Sequence, residues 1–165
     1  MSDRVLSMGI KLSAGILLYR IRSLAIQILL VHPGGPFWAK KDDGAWSIPK
    51  GEYDEGAEAL EAAKREFHEE TGFEVHGETV PLIPVRQPSG KVISVWAVDG
   101  DIDAPLIRST SFRMEWPPKS GKLQEFPEVD RAEWFDLCTG HRKILPGQRP
   151  FLVQLEQMVR NQSTE

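Results

Sequence analysis

The sequence is poor in cysteine and in long apolar runs. Cys138 is the only cysteine among 165 residues, which excludes an intramolecular disulfide framework and a cysteine-rich zinc site. The longest apolar run, residues 24–31, is interrupted by Gln27 and is far shorter than the roughly 20 residues that cross a bilayer. The first residues lack the ordered regions of a secretory signal peptide. We therefore expect a single domain over residues 1–165, cytoplasmic and without a membrane partner.

Charge is distributed unevenly along the chain, whose net charge is −4. Residues 51–78 contain ten acidic residues and only two basic ones, Lys64 and Arg65. Such a segment is unsuited to binding nucleic-acid phosphates, so no extended nucleic-acid surface is expected there. It is suited to collecting divalent cations. An acidic run alone is more often a solvated helix face, so the side-chain pattern has to decide.

Apolar runs and turn signals alternate along the chain. Strands are predicted over residues 12–20, 24–32, 80–87, 91–99, 110–116 and 132–137. The clearest helix covers residues 58–70, which are mostly strong helix formers, and Gly72 is its natural stop. Shorter helices are predicted over residues 138–145 and 150–160. This order predicts an α+β or mixed α/β layered domain.

Three carboxylates cluster on one side of the predicted central helix. Glu66, Glu69 and Glu70 stand at positions i, i+3 and i+4, so they repel one another, and they lie near the helix C-terminus, where the dipole disfavours negative charge. A counter-cation explains both features, and hard oxygen ligands suit Mg²⁺ or Mn²⁺. Arg65 lies four residues before Glu69, where it either orients that carboxylate or forms a plain surface ion pair.

The residues from Gly51 to Phe73 resemble the Nudix box, G-x5-E-x7-R-E-U-x-E-E-x-G-U, in which U is an apolar residue. Eight of its nine fixed positions match. The exception is the first glutamate of the signature, which falls on Ala57. The matching residues are Gly51, Arg65, Glu66, Phe67, Glu69, Glu70, Gly72 and Phe73.

This resemblance implies a Nudix fold, which is an α/β/α sandwich with a mixed sheet. It implies hydrolysis of a pyrophosphate bond in a nucleoside diphosphate derivative, either a dinucleoside polyphosphate or a nucleoside triphosphate. Mg²⁺, or Mn²⁺ in its place, would bind Glu66, Glu69, Glu70 and the main-chain carbonyl of Lys50. Catalytic roles would fall to Glu69 and to Arg65. The alternative is a non-catalytic Nudix-fold module that binds a nucleotide and regulates a partner, which the loss of the box glutamate favours.

The general base is not fixed by the box. Members of the family often use a glutamate from a loop outside it to take the proton of the attacking water. Glu128 is the first candidate because it precedes a predicted strand, and Glu125 is the second. For both residues a solvated loop carboxylate is the plain alternative.

Substrate signals are weaker than the box. The run from Trp46 to Gly51, W-S-I-P-K-G, resembles the entry to the box in the diadenosine-tetraphosphate-hydrolase-like branch of the family. Lys50 is suited to contacting a phosphate as a point charge. Three aromatic residues are candidates for stacking on a base, with core packing as the alternative: Phe37, Trp38 and Trp46. Arg86 is a further phosphate candidate. We expect a small nucleotide substrate and leave open whether the protein is a monomer or a homodimer.

Overall fold

The centre of the molecule is a seven-stranded sheet. The structure is a computed structural model and describes residues 10–163. The strands of this sheet are β1 (Leu12–Arg22), β2 (Ala25–Pro33), β3 (Lys50–Tyr53), β4 (Val80–Pro81), β5 (Val85–Arg86), β6 (Val92–Asp99) and β9 (Val129–Asp136). Strands β7 (Ser111–Glu115) and β8 (Leu123–Pro127) form a separate two-stranded sheet. The helices are α1 (Ala59–Thr71), α2 (Leu137–Lys143) and α3 (Arg149–Ser163).

The sheet is mixed. Its main path runs β4–β6–β1–β2–β9, with β3 paired to β1 and β5 paired to β6. Strands β1 and β6 are parallel, and the other pairs are antiparallel. Strand β1 is buried on both faces over residues 13–19, which is why it reads as a continuous apolar run rather than an alternating one.

Helices cover both faces of the sheet. On one face Ala63 and Phe67 of α1 pack with Ile16 and Leu29. On the other face the apolar residues of α3 pack with the opposite side of the same strands. The α/β/α layering with a mixed sheet, which the box resemblance implied, is confirmed.

One predicted strand is divided in the structure, and one strand of the structure is not among the predicted ones. The single strand predicted over residues 80–87 is two short strands, because Pro84 lacks the N–H that a continuous ladder needs. The sequence does not predict strand β8, because four of its five residues are exposed and it has no alternating buried face. Among residues 10–163, no helix is long and apolar enough to cross a membrane.

Candidate active site

Helix α1 carries the acidic cluster to the edge of the sheet. Ala62, Ala63 and Phe67 anchor its buried side in the core. The helix ends at Gly72, whose φ of 80° is left-handed and whose N–H donates to the carbonyl of His68, a stop that glycine makes without steric cost.

Strand β3 brings its backbone directly against one of these carboxylates. A Cβ added at Gly51 would overlap the carboxylate of Glu66, so glycine lets this carboxylate approach the strand without moving aside. On the preceding residue, the N–H of Lys50 donates to Oε2 of Glu70 over 3.2 Å. These contacts fix the start of β3 against the C-terminal part of α1.

Four carboxylates line one cavity of about 310 Å³ at this contact. Three come from α1 and the fourth is Glu128, from the junction of β8 and β9. The complete lining is Lys50, Gly51, Glu66, Glu69, Glu70, Thr110 and Glu128. Thr110 links the two parts of the wall, since its N–H donates to the carbonyl of Glu69 and its own carbonyl accepts the N–H of Glu128.

Burial and crowding shift the acidity of this cluster. Burial raises the pKa of Glu70 to about 8, with smaller contributions from the charges of Glu66 and Glu128. Burial and the neighbouring Glu69 also raise the pKa of Glu66. The pKa of the Lys50 ammonium is lowered, chiefly by burial and then by Lys91. The cavity thus concentrates negative charge that its own cations do not balance.

A second cavity, of about 180 Å³, adjoins the first and is mainly apolar. The two share Lys50, Glu70 and Glu128. The half-buried ring of Trp38 lines the second one, and the Lys41 ammonium lies 4.9 Å from the centre of that ring. An apolar cavity beside a carboxylate-lined one has room for a ligand with an aromatic part and a charged part.

The match to a family model decides what this arrangement is. The model of the NUDIX domain matches residues 10–155, which includes the whole sheet, the acidic helix and both cavities. The chain belongs to the Nudix family. Comparison with curated protein sequences gave no match.

Solved Nudix structures share the fold at low identity. The chain is similar to a Caenorhabditis elegans Ap4A hydrolase in a binary complex, with 20% identity, a TM-score of 0.59 and coverage of 92% of this chain and 98% of that one. It is similar to the NUDIX domain of Shewanella oneidensis NrtR complexed with ADP ribose, with 18% identity, a TM-score of 0.58 and coverage of 90% and 87%. A mutT/nudix family protein from Listeria innocua shows 14% identity, a TM-score of 0.62 and coverage of 93% and 96%.

Family membership makes this chain a Nudix pyrophosphohydrolase, an enzyme acting on phosphoanhydride bonds of nucleotides. Enzymes of the family generally use a divalent metal ion such as Mg²⁺. The donor set at the Nudix box fits such an ion, since it consists of carboxylate oxygens beside a main-chain carbonyl. Within residues 10–163, no group of three His, Cys, Asp or Glu side chains is already arranged to hold a metal ion.

Arg65 contacts two of the box carboxylates. Its guanidinium lies 3.4 Å from Oε1 of Glu66 and 3.9 Å from Oε1 of Glu69. The ion pair with Glu69 matches the i, i+4 spacing in the sequence, and the contact with Glu66 is additional. Because the guanidinium is half exposed, it is placed to orient the carboxylates rather than to neutralise them strongly.

The position that departs from the Nudix signature lies outside the carboxylate cavity. Ala57 closes a turn by donating its N–H to the carbonyl of Asp54 over 3.0 Å. It lines a separate cavity of about 430 Å³ together with Arg65, Tyr53 and Glu55. The missing glutamate therefore leaves the cluster on α1 intact and leaves space beside Arg65.

Trp46 is not a substrate-stacking residue, and that prediction is wrong. The ring is 1% exposed and packs edge-on against Phe135 with ring centres 5.0 Å apart. Its indole N–H donates to Asp42. The alternative for this tryptophan, core packing, is what the structure shows.

Three other predicted residues lie away from both cavities. Phe37 is exposed and packs edge-on against Trp116 beside the β7–β8 hairpin. Arg86 lies on the short edge strand β5, paired with Val92. Glu125, in β8, lies opposite Arg113, in β7. The structure brings Glu128 into the cavity instead of Glu125, and it adds Thr110, for which the sequence carries no signal besides the start of a predicted strand.

Proposed function

We propose that this protein hydrolyses a pyrophosphate bond in a nucleoside diphosphate derivative, a dinucleoside polyphosphate or a nucleoside triphosphate, with Mg²⁺ or Mn²⁺. The observation that carries the proposal is the carboxylate-lined cavity that shares three residues with an apolar cavity containing Trp38. A nucleotide has matching parts, since its phosphates need cations and its base stacks on aromatic rings. The resemblance to an Ap4A hydrolase supports the dinucleoside polyphosphate class.

In this proposal Glu66, Glu69, Glu70 and the carbonyl of Lys50 hold the metal. A bound divalent ion neutralises phosphoryl oxygens and lowers the pKa of a bound water. The Lys50 ammonium contacts a substrate phosphate, because it lies at the boundary of both cavities.

Glu128 takes the proton of the attacking water. It lines the same cavity as the three helix carboxylates, and its charge contributes to the raised pKa of Glu66 and of Glu70, so a water in this cavity has a nearby acceptor. Its backbone is fixed by two hydrogen bonds, one from its N–H to Thr110 and one from the N–H of Gly34 to its carbonyl. This anchoring positions the carboxylate without involving its oxygens.

Trp38 stacks on the base, with Lys41 over its ring.

The cytoplasmic location and the choice between monomer and homodimer stay predictions. The alternative function, a regulatory module that binds a nucleotide without cleaving it, shares the same cavities and is separated from the enzyme by activity alone.

The test is chromatographic separation of the nucleotide products formed from a panel of diadenosine polyphosphates, nucleoside triphosphates and ADP-ribose, with and without Mg²⁺. We expect Mg²⁺-dependent turnover of at least one class. Glu128→Gln should lose about 10²-fold or more of that rate, the lower range for a general base, whereas Glu125→Gln, three residues away on the hairpin, should not. Nucleotide binding without turnover by the wild-type protein would establish the regulatory alternative.

A further inference from the structure

His32 is a buried histidine that the proposed mechanism does not use, and its chain neighbours Val31 and Pro33 line the apolar cavity. It lies at the end of β2 and is 1% exposed. Its Nδ1 lies 2.9 Å from Oδ1 of Asp130, and its Nε2 lies 2.7 Å from the carbonyl oxygen of Lys41. The ring also packs edge-on against Trp46, with ring centres 5.1 Å apart. Both ring nitrogens are therefore engaged.

Both partners of the ring are hydrogen-bond acceptors. A backbone carbonyl has no hydrogen to give, and neither has an ionised carboxylate, whereas a neutral imidazole carries only one N–H. The two hydrogen bonds consequently exist together only when both nitrogens of His32 are protonated. With one proton on the ring, one of the two contacts places two acceptors against each other.

The contact with Asp130 depends on a β-bulge. In the pairing of β2 with β9, Pro33 stands opposite Val129 and His32 opposite Arg131, so Asp130 is an extra residue in β9. A bulge of this kind turns a side chain away from the regular alternation. Here the redirected carboxylate lies two residues after Glu128, on the segment that forms one wall of both cavities.

The contact with Lys41 reaches the other wall. The N–H of Lys41 donates to the carbonyl of Trp38 over 2.9 Å and closes a turn, and the Lys41 ammonium lies over the Trp38 ring. His32 is thus hydrogen-bonded at one nitrogen to the turn that carries Trp38 and at the other to the segment that carries Glu128.

The charged groups around the ring come from three elements. The Asp130 carboxylate is 36% exposed, so solvent screens it in part. The remaining charges contact Trp46, or a partner of Trp46, rather than the imidazole. They are the Arg131 guanidinium, 5.0 Å from the ring centre, Asp42, which accepts from the Trp46 indole, and Lys143, which pairs with Asp42. Asp130 is the only one of these four groups that bonds directly to the imidazole.

We propose that His32 is a positioning residue that, when doubly protonated, ties the Trp38 turn to the Glu128 segment and so holds the nucleotide cavity closed between them. Loss of one ring proton leaves one of these two contacts without a hydrogen, so the connection between the two segments weakens. The role in substrate binding rests on the proposed function. The proton-dependent tie itself does not.

The decisive variant is Asp130→Asn. A side-chain amide both donates and accepts, so asparagine accepts from the doubly protonated ring and donates to Nδ1 of the neutral ring. Both ties then persist at either protonation state. For the wild-type protein we expect the KM for the nucleotide to rise about tenfold as the ring loses its proton, the cost of one hydrogen bond to a charged group, with kcat changing less. In Asp130→Asn this rise in KM should disappear.

Two further variants separate positioning from general stability. His32→Gln cannot titrate, so its KM should be raised at all pH values with no dependence on this group. His76→Gln, at an exposed histidine in the loop after α1, should keep the wild-type profile. Circular dichroism melting at each pH identifies any loss of KM that comes from unfolding.

A readout without substrate tests the tie on its own. The indole N–H signal of Trp38, assigned by its absence in Trp38→Phe, should move with pH together with the His32 ring signals in the wild-type protein, and should not do so in Asp130→Asn. Coupled signals without any nucleotide turnover would overturn the proposed function and leave the tie standing. The proposed tie would be disproved by a Trp38 signal that does not follow the His32 ring signals. It would also be disproved by an Asp130→Asn variant whose KM has the wild-type pH profile.

Discussion

At Glu70 a carboxyl group is buried among other carboxyl groups at the end of a helix. Burial raises its pKa from the ordinary 4.5 to about 8, and only the N–H and the ammonium of Lys50 oppose this among the principal causes. In the metal-free protein the group therefore keeps its proton at neutral pH. A divalent cation that binds there has to displace that proton, so Mg²⁺ affinity should increase as pH rises toward 8.

Substituting Glu70 with glutamine tests this burial. A carboxyl whose folded-state pKa lies above its unfolded value holds its proton more tightly when folded. Stability of the metal-free wild-type protein should thus decrease as pH rises from about 4.5 to about 8. Glutamine is neutral throughout, so Glu70→Gln should flatten this decrease in urea midpoints measured across pH. With Mg²⁺, its turnover should fall at least about tenfold. A steep decrease that survives in the variant would assign it to another group.

Gly51 is a second position that shapes the site, because a Cβ atom there would meet the Glu66 carboxylate. Its Cβ would overlap the Glu66 carboxylate, and its φ lies outside the left-handed region, so steric overlap alone opposes alanine. We expect Gly51→Ala to push the Glu66 carboxylate aside and lower turnover by at least about tenfold. Its stability should change by about 0.5 kcal/mol or less, because the end of a flexible side chain can move away. Kinetics and urea denaturation measure the two effects. Full activity in this variant would exclude Glu66 from the metal site.

Among the elements, the segment over residues 46–50 depends on a side chain about one hundred residues later. Gln148 is 1% exposed; its Oε1 accepts the N–H of Ile48 over 2.9 Å, and its Nε2 donates to the Ser47 hydroxyl over 3.0 Å. Without this side chain, a buried N–H next to the site would be left unpaired.

Gln154 provides a matched control for this contact. It makes the same kind of paired hydrogen bonds, to the N–H and the carbonyl of Ile83, but in an exposed position. We expect Gln148→Ala to lose about 1–3 kcal/mol of stability, the cost of an unsatisfied buried donor. Gln154→Ala should change it by about 0.5 kcal/mol or less. Equal losses in urea denaturation would show that burial is not what gives Gln148 its importance.

Local patterns in the sequence predicted the local parts of this site. The helix of residues 58–70, its glycine stop and its clustered carboxylates follow from spacing within a few turns, and the structure has all three. Trp46 was misplaced because its surroundings, Phe135 and His32, come from strands far away in the chain. Thr110 and the β-bulge at Asp130 depend on strand register, which the alternation of short exposed segments does not fix.

At the scale of the whole molecule, the active site lies where four separate segments meet, one of them the residue before β7, Thr110. Helix α1 supplies three carboxylates, the β8–β9 junction supplies Glu128, and the start of β3 supplies Lys50 and Gly51. The acidic charge of residues 51–78 is therefore only in part a solvated surface. Its inner members, Glu66, Glu69 and Glu70, crowd along one cavity with Glu128, an arrangement that costs free energy in the absence of a cation.

A bound cation should consequently stabilise the whole fold. A ligand that binds the folded chain but not the unfolded one stabilises by mass action, about 1.4 kcal/mol at ten times its dissociation constant. For a domain of this size, each kcal/mol of stabilisation raises the Tm by about 2–4 °C. The Tm should therefore increase through the millimolar Mg²⁺ range at constant ionic strength. Glu66→Gln should reduce the increase, whereas Glu61→Gln, an exposed position on the same helix, should retain it. If the Tm does not respond to Mg²⁺ alone but responds once a non-hydrolysable nucleotide is added, the ion binds only together with the substrate.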